Sequence, residues 1–222
     1  MTRDPEDTDL PGCASAPQRI WLLGPPGAGK TTLGRRLAEG LACPHHELDA
    51  YFWHQGWTRA DSDGFHAAVT ELAARETWII DGQYHDAHPV LASRADTVIW
   101  LDVPLGVALW RVTRRTLRRL LTRTALWNDN RETLGSALGL LVWTARSHRN
   151  VAAVNRPLLA RLAARDVRTV RTASAQAALT ELLGAHPAAP AARRTAGRTP
   201  AAPSSEPPAS DGTDPLAPAR RQ

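Results

Sequence analysis

One short stretch, residues 22–32, constrains the fold of this chain more than any other feature. It reads LLGPPGAGKTT, and its residues 24–31 satisfy the pattern G-x-x-x-x-G-K-[ST]. An apolar run, residues 19–23, precedes the glycines, and Leu33, Leu37 and Leu41 follow at helical spacing. The sequence therefore predicts a strand, a glycine-rich loop and a helix, whose backbone amides and positive N-terminus would cradle a phosphate chain.

This loop predicts binding of ATP with Mg²⁺. Lys30, the only lysine in the chain, would reach the β- and γ-phosphates, and the Thr31 hydroxyl would ligate Mg²⁺. The residues expected to contact ATP are Gly24, Gly27, Ala28, Gly29, Lys30, Thr31 and Thr32.

The remaining elements alternate between strands and helices. Four more apolar runs are predicted strands, at residues 45–53, 77–82, 95–104 and 166–172, and amphipathic segments lie between them. This alternation is typical of a parallel sheet covered by helices on both faces. We therefore predict an α/β fold with a doubly wound, parallel, five-stranded sheet.

Composition sets the limits of the folded unit. The 17 prolines of the 222 residues are concentrated at the two ends, which also contain few large apolar residues. We expect one domain over residues 18–185, with disordered tails over residues 1–17 and 186–222. The N-terminal segment does not resemble a signal peptide, the two cysteines have no metal-ligand spacing, and the apolar run 134–145 is too short to cross a membrane. These features predict a soluble, cytoplasmic protein.

Two further features suggest what happens to the bound phosphate chain. Asp81 ends the predicted strand 77–82, where a carboxylate could hold Mg²⁺, and the next residue is Gly82 rather than a glutamate that would activate water. Arginines at positions 111, 114, 115, 118 and 119 recur at helical spacing after the strand 95–104. We interpret Arg114, Arg115 and Arg118 as groups that stabilise the charge of a transferring phosphoryl.

The same arginines have another possible use. The formal net charge is +5, and an arginine-rich helix face can also bind a nucleic-acid backbone. The alternative hypothesis is therefore a nucleic-acid-associated NTPase or binding module. The missing glutamate after Asp81 favours phosphoryl transfer over this alternative.

An ordered set of motifs carries a family resemblance. The glycine loop, ELDAYFWHQGW, WIIDGQY, ADTVIWLDVP with its arginine-rich helix, and LWNDNRE together resemble the adenylate-kinase-like P-loop proteins labelled DNA topology modulation (FlaR-related) proteins. The resemblance covers about residues 19–183 and implies a P-loop kinase fold with a mobile helical lid at about residues 116–149. It also implies transfer of the ATP γ-phosphoryl to a small acceptor such as a nucleotide, a nucleoside or a hydroxylated metabolite. The lid contains no cysteine, which excludes a zinc-bound version.

The sequence alone does not identify the molecule that accepts the phosphoryl group. Glu47 and Asp49 fall where shikimate-type kinases carry a pair of aspartates, and Asp49 could be a general base, a hydrogen-bonding group, a helix cap or an outer ligand of Mg²⁺. An aromatic cluster follows and could line the acceptor pocket or pack on its own domain: Tyr51, Phe52, Trp53 and Trp57. Relatives often carry an arginine shortly after D-G-x-Y, where this chain has His85 and His88, so that Arg94, Arg59 or a histidine would bind an acceptor phosphate instead. The sequence does not indicate an oligomeric state.

Overall fold

A computed structural model describes residues 17–122, 126–130 and 133–184. Apart from residue 17, the predicted tails 1–17 and 186–222 lie outside the described residues. The strands are β1 (Arg19–Leu23), β2 (His45–Glu47), β3 (Trp78–Asp81), β4 (Thr97–Leu101) and β5 (Arg168–Thr172). The helices are α1 (Lys30–Leu41), α2 (Leu48–Phe52), α3 (Ser62–Ala74), α4 (His88–Arg94), α5 (Leu105–Thr122), α6 (Leu134–Ala163) and α7 (Ala175–Gly184). Three short 3₁₀ turns cover Gln55–Trp57, His85–Ala87 and Trp127–Asp129.

The five strands form one parallel sheet in the order β2-β3-β1-β4-β5. The predicted doubly wound, five-stranded parallel sheet is confirmed. All carboxyl ends lie at one edge of the sheet, where open α/β folds bind their ligands. The register pairs Leu22 with Asp81 and Glu47 with Asp81, so the end of β3 lies between the glycine loop and β2.

Alternate residues of the strands point to opposite faces, and each face is buried. One face packs against α3, α4 and α6 through a cluster that includes Trp21, Ile80, Trp100, Phe65 and Leu162. The other face packs against α1 and α7 through a cluster that includes Leu22, Ile79, Ile99, Leu37 and Leu179. Because apolar residues occupy both faces of the central strands, the sheet is held rigidly and positions the loops at its edge.

Strand β2 is shorter than the sequence predicts. The strand predicted over residues 45–53 is wrong beyond Glu47, because β3 ends at Asp81, the partner of Glu47, and β2 has no strand to pair with beyond that point. The chain turns there into α2, so Asp49 lies in the first turn of a helix.

The lid predicted at about residues 116–149 spans the end of α5 and the first half of α6, and it remains a prediction. No described helix is long and apolar enough to cross a bilayer.

Candidate active site

The glycine loop joins β1 directly to the first turn of α1, as the motif predicted. Lys30 opens the helix, and its Nζ donates to the carbonyl oxygens of Gly24 at 2.7 Å and Pro25 at 3.1 Å. Burial lowers the pKa of Lys30, the charges of Asp81 and Asp49 raise it, and Arg115 lowers it further. The ammonium is hydrogen-bonded only to neutral carbonyls in the contacts described, and a phosphate chain in the loop would add a close negative charge. The loop therefore fits a phosphate chain.

Asp81 is held in place by a histidine that the sequence analysis did not identify. His45 Nε2 lies 2.9 Å from Asp81 Oδ2, and the two side chains are 8% and 7% exposed. An Asp81 carboxylate and the Thr31 hydroxyl are hard oxygen ligands of the type that Mg²⁺ prefers, so the donor set fits this ion. Gly82 has a φ of 139°, and a Cβ there would lie 2.7 Å from Leu48 Cβ. Any side chain at this position would therefore strain the backbone and displace Leu48.

Asp49 is paired with a tyrosine from the neighbouring loop. Tyr84 O–H donates to Asp49 Oδ1 at 2.5 Å. Burial raises the pKa of Asp49, whereas the Tyr84 hydrogen bond and the Lys30 charge lower it. The caps of α2 are Glu47 and Trp53, so the alternative in which Asp49 is a helix cap is wrong. Asp49 is a partly buried carboxylate within the electrostatic reach of Lys30 and Asp81.

Glu47, the first acidic residue of the predicted pair, has a different environment. Its Oε1 accepts from the Arg35 guanidinium at 2.9 Å, and its Oε2 accepts from the Trp127 indole N–H at 3.1 Å. Both carboxylate oxygens thus have protein partners. We infer that Glu47 connects β2 to α1 and to the 126–130 segment.

The arginines of α5 divide into two groups. Arg111 Nη1 donates to the loop carbonyls of Ala28 at 3.3 Å and Gly27 at 3.5 Å, and the charge of Arg115 lowers the pKa of Lys30. The guanidinium of Arg114 instead lies 5.5 Å from the centre of the exposed Trp110 ring. The structure thus adds Arg111, which was not among the predicted catalytic residues, as a group in contact with the loop. Arg114, Arg115 and Arg118 are exposed and remain predicted contributors.

A cavity of about 150 Å³ lies against the glycine loop. Its walls include Pro25 and Pro26 of the loop, Gln83, His88 and, from α6, Trp143. Gln83 is anchored from behind by Asn155, a fully buried residue of α6, through two amide hydrogen bonds of 2.6 and 3.3 Å. The cavity is therefore adjacent to both the loop and the residues after Asp81, and its described lining does not include Lys30, Asp49 or Asp81.

The two histidines after Tyr84 lie at this cavity. Their rings stack with centroids 5.6 Å apart. Burial, together with the neighbouring His85, lowers the pKa of His88 to about 4, so that it is neutral at pH 7. Within the described ranges, no group of three metal-ligating side chains comes together, and these histidines are not part of one. Arg59 and Arg94, the alternative phosphate-binding residues, are exposed.

The aromatic cluster after β2 forms one packed unit. Phe52 contacts Tyr84, Trp53 and Phe65 with ring centroids 4.4, 5.0 and 5.3 Å apart, and Trp53 contacts Trp57 at 5.7 Å. These contacts favour the interpretation that the aromatic residues pack on their own domain. Their link to Tyr84 nevertheless places them directly behind Asp49.

A glycine loop after the first strand of a 2-3-1-4-5 parallel sheet, with an aspartate at the end of the adjacent strand, defines a P-loop protein of the kinase type. A shikimate kinase of Rhodococcus jostii is 32% identical over a match of 120 residues that covers 48% of this chain and 71% of the relative. The chain therefore belongs to the shikimate kinase family. The more specific resemblance to the topology modulation proteins remains a prediction.

The chain is also similar to an uncharacterized bacterial protein and to a solved shikimate kinase structure. The uncharacterized protein YqaC of Bacillus subtilis is 30% identical over 104 residues, and the match covers 46% of this chain and 58% of YqaC. The chain thus spans just over half the length of that relative. Shikimate kinase from Acinetobacter baumannii, solved in complex with shikimate, superposes with a TM-score of 0.44 at 23% identity, covering 78% of this chain and 96% of that structure. No protein-family model matches the chain.

Proposed function

We propose that this protein transfers the γ-phosphoryl group of ATP to a hydroxyl group of a small molecule. One observation carries the proposal: β1, which leads into the loop of Lys30, pairs with β3 at Asp81, and β3 pairs with β2, which Asp49 follows by two residues, so the three side chains belong to neighbouring strand ends. A loop that only binds a nucleotide has no need of Asp49. Membership of the shikimate kinase family supports the same reaction class.

Each residue has a definable task in this reaction. Bound ATP with Mg²⁺ would supply the phosphoryl group and the cation that neutralises its charge. Lys30, and Arg111 and Arg115 from α5, add positive charge beside the loop, where negative charge develops during transfer. Thr31 and Asp81 would hold the metal ion through oxygen atoms, with Asp81 oriented by His45.

Asp49 is the proposed general base. Transfer to a hydroxyl requires that its proton be accepted, and a carboxylate whose pKa is raised by burial accepts a proton more readily than an exposed one. Tyr84 keeps this carboxylate oriented through its hydrogen bond to Oδ1. Oδ2 is the atom that we assign to the acceptor hydroxyl.

The test is a transfer screen with γ-labelled ATP and Mg²⁺. Acceptors are shikimate, the substrate named for the relatives, then other hydroxylated metabolites, nucleosides and nucleoside monophosphates. We expect a labelled small-molecule product, lost in Lys30→Met and retained in Arg36→Met, which removes a cation from an exposed position of the same helix. Release of inorganic phosphate alone, across all acceptors, would refute the proposal.

The alternative of a nucleic-acid-associated protein also has a specific observation in its favour. Helix α5 carries five arginines and no acidic residue, as many positive charges as the whole chain has in excess. Fluorescence anisotropy with a labelled DNA duplex at increasing salt distinguishes the two. Micromolar binding that weakens steeply with salt would favour the alternative, whereas we expect weak binding because Arg111 and Arg115 are used at the loop.

A further inference from the structure

A short segment between α5 and α6 binds the loop that follows α2. Asn130 is only 3% exposed, and its side chain bridges that loop: Oδ1 accepts from the Trp57 amide at 2.9 Å, and Nδ2 donates to the His54 carbonyl at 2.8 Å. Asn128 Nδ2 donates to the Trp53 carbonyl at 2.6 Å. One side-chain amide thus pairs with a backbone N–H and a backbone C=O of the same loop. We call residues 126–130 the clasp.

The loop that the clasp holds, residues 53–59, has a conformation that needs support. It is closed by an isolated bridge between Trp53 and Arg59 and by a 2.8 Å hydrogen bond from His54 N to Thr58 O. At its tip Gly56 and Trp57 have φ values of 74° and 59°. A positive φ at a tryptophan costs about 1 kcal/mol or more, so contacts from outside the loop have to offset it. Asn130 binds the amide of this same residue.

A continuous series of contacts leads from the clasp to the candidate base. Trp57 packs on Trp53, Trp53 on Phe52, and Phe52 on Tyr84, with ring centroids 5.7, 5.0 and 4.4 Å apart. Tyr84 in turn donates its hydroxyl proton to Asp49. A second connection is direct, because Trp127 of the clasp donates to Glu47 at the end of β2. The clasp therefore reaches the acceptor side of the site along two routes.

We propose that Asn130 is a positioning residue for phosphoryl transfer: by fixing the 53–59 loop it holds the aromatic stack that keeps Tyr84 on Asp49. This inference rests on the proposed function, since Asp49 is assigned there as the base. It also assigns a role to the polar residues of LWNDN, which follow the helix whose Arg111 contacts the glycine loop. The contacts of the clasp and the orientation of the base are then parts of one arrangement.

The structural half of the proposal is tested without any acceptor. Carboxyl-carbon NMR follows the titration of Asp49 in the wild type, in Asn130→Ala and in Tyr84→Phe, which removes the hydroxyl outright. Because the Tyr84 hydrogen bond lowers the pKa of Asp49, we expect that pKa to rise in Tyr84→Phe and to move in the same direction in Asn130→Ala. Lys30, Asp81 and Glu47, the other charged groups that act on Asp49, are unchanged in both variants.

Hydrogen exchange and kinetics complete the test. The Trp57 amide should exchange at least tenfold faster in Asn130→Ala and at the wild-type rate in Gln55→Ala, an exposed control in the same loop. With the acceptor found in the screen, we expect kcat to fall about tenfold or more while the KM for ATP stays within twofold. Asn130→Asp is the second variant, in case Asn130→Ala does not fold. It keeps the oxygen that accepts from the Trp57 amide but replaces the donor to the His54 carbonyl with a second oxygen. We expect a fall in kcat that is smaller than the tenfold fall expected for Asn130→Ala.

Two results would overturn the inference. An unchanged Asp49 titration in Asn130→Ala, beside a shifted one in Tyr84→Phe, would show that the clasp does not act on the base. Faster exchange at Trp57 with unchanged kcat would reduce Asn130 to a structural residue. A screen without any labelled product would refute the proposed function instead, and the NMR and exchange results would still report whether the clasp controls Asp49.

Discussion

Replacing Gly34, in α1, by alanine should change the free energy of unfolding in a direction that depends on His45. A Cβ added at Gly34 would lie 2.4 Å from His45 Nε2 and 2.6 Å from His45 Cδ2, closer than such atoms approach. The ring cannot simply turn away, because the same Nε2 is bonded to Asp81 at 2.9 Å. Gly34→Ala should therefore displace His45 and weaken its contact with Asp81.

The magnitude follows from three terms. Alanine is favoured over glycine in a helix interior by about 1 kcal/mol. Forcing an extra methyl into a packed site costs about 1–3 kcal/mol, and weakening a hydrogen bond to a charged group costs up to about 1.5–3 kcal/mol. We expect Gly34→Ala to lower the free energy of unfolding by about 2 kcal/mol.

The assay is a double-mutant cycle by urea denaturation. In a His45→Ala background the ring is absent, so the helix-propensity gain should remain and Gly34→Ala should stabilise by about 0.5–1 kcal/mol. The substitution thus reverses sign between the two backgrounds. Stabilisation of both backgrounds by the same amount would refute the argument, because it would mean that Gly34 is not required to make room for His45.

Three more predictions concern other parts of the domain. Gln83→Leu should lower the free energy of unfolding by about 1–3 kcal/mol in urea, because it leaves the Asn155 amide buried without its partner; an unchanged midpoint would contradict this. Burial lowers the pKa values of His46 and His88 to about 4, so the unfolded chain binds more protons below about pH 6.5, and stability should fall as the pH drops from 6.5 toward 4. Thermal melting over that range measures it, and His88→Gln should flatten the slope. Burial raises the pKa of the Cys43 thiol to about 11. In a Cys13→Ser variant, iodoacetamide at pH 8 should therefore alkylate Cys43 slowly until urea unfolds the protein; rapid alkylation of the folded chain would count against this prediction.

The fold and the donor side of the site were predictable because they depend on local sequence. The glycine loop, the buried strand that ends at Asp81, and the period of the apolar residues each act within about a dozen residues. These signals gave the five strands and the placement of Lys30 at the start of α1. Asp81 at the carboxyl end of β3 followed from the same reasoning.

The contacts that hold the site residues in place were not predictable in the same way, since they join residues far apart in the chain. Asn130 binds backbone atoms more than 70 positions earlier, and His45 binds Asp81 36 positions later. One weak signal existed near His45. A glycine at position 34 is unfavourable in a helix, which indicates that another side chain occupies the space of its Cβ; in the structure that side chain is His45. For Asn130 no pattern in the sequence indicates a partner, since its partners are main-chain atoms and any residue type supplies those.

The chemistry of the cavity beside the glycine loop predicts which kind of small molecule it can bind. Its described lining contains no arginine or lysine, and His88 in its wall is neutral at pH 7. A carboxylate or phosphate placed there would lose its hydration without gaining a counter-charge, which is costly. Hydroxyl groups lose much less, and the polar wall residues Gln83, Ser147 and Asn150 can bond them. An anionic acceptor such as shikimate would need its carboxylate directed toward the arginines of α5 instead, so comparing neutral polyols with anionic acceptors in the transfer screen reports which wall binds the acceptor.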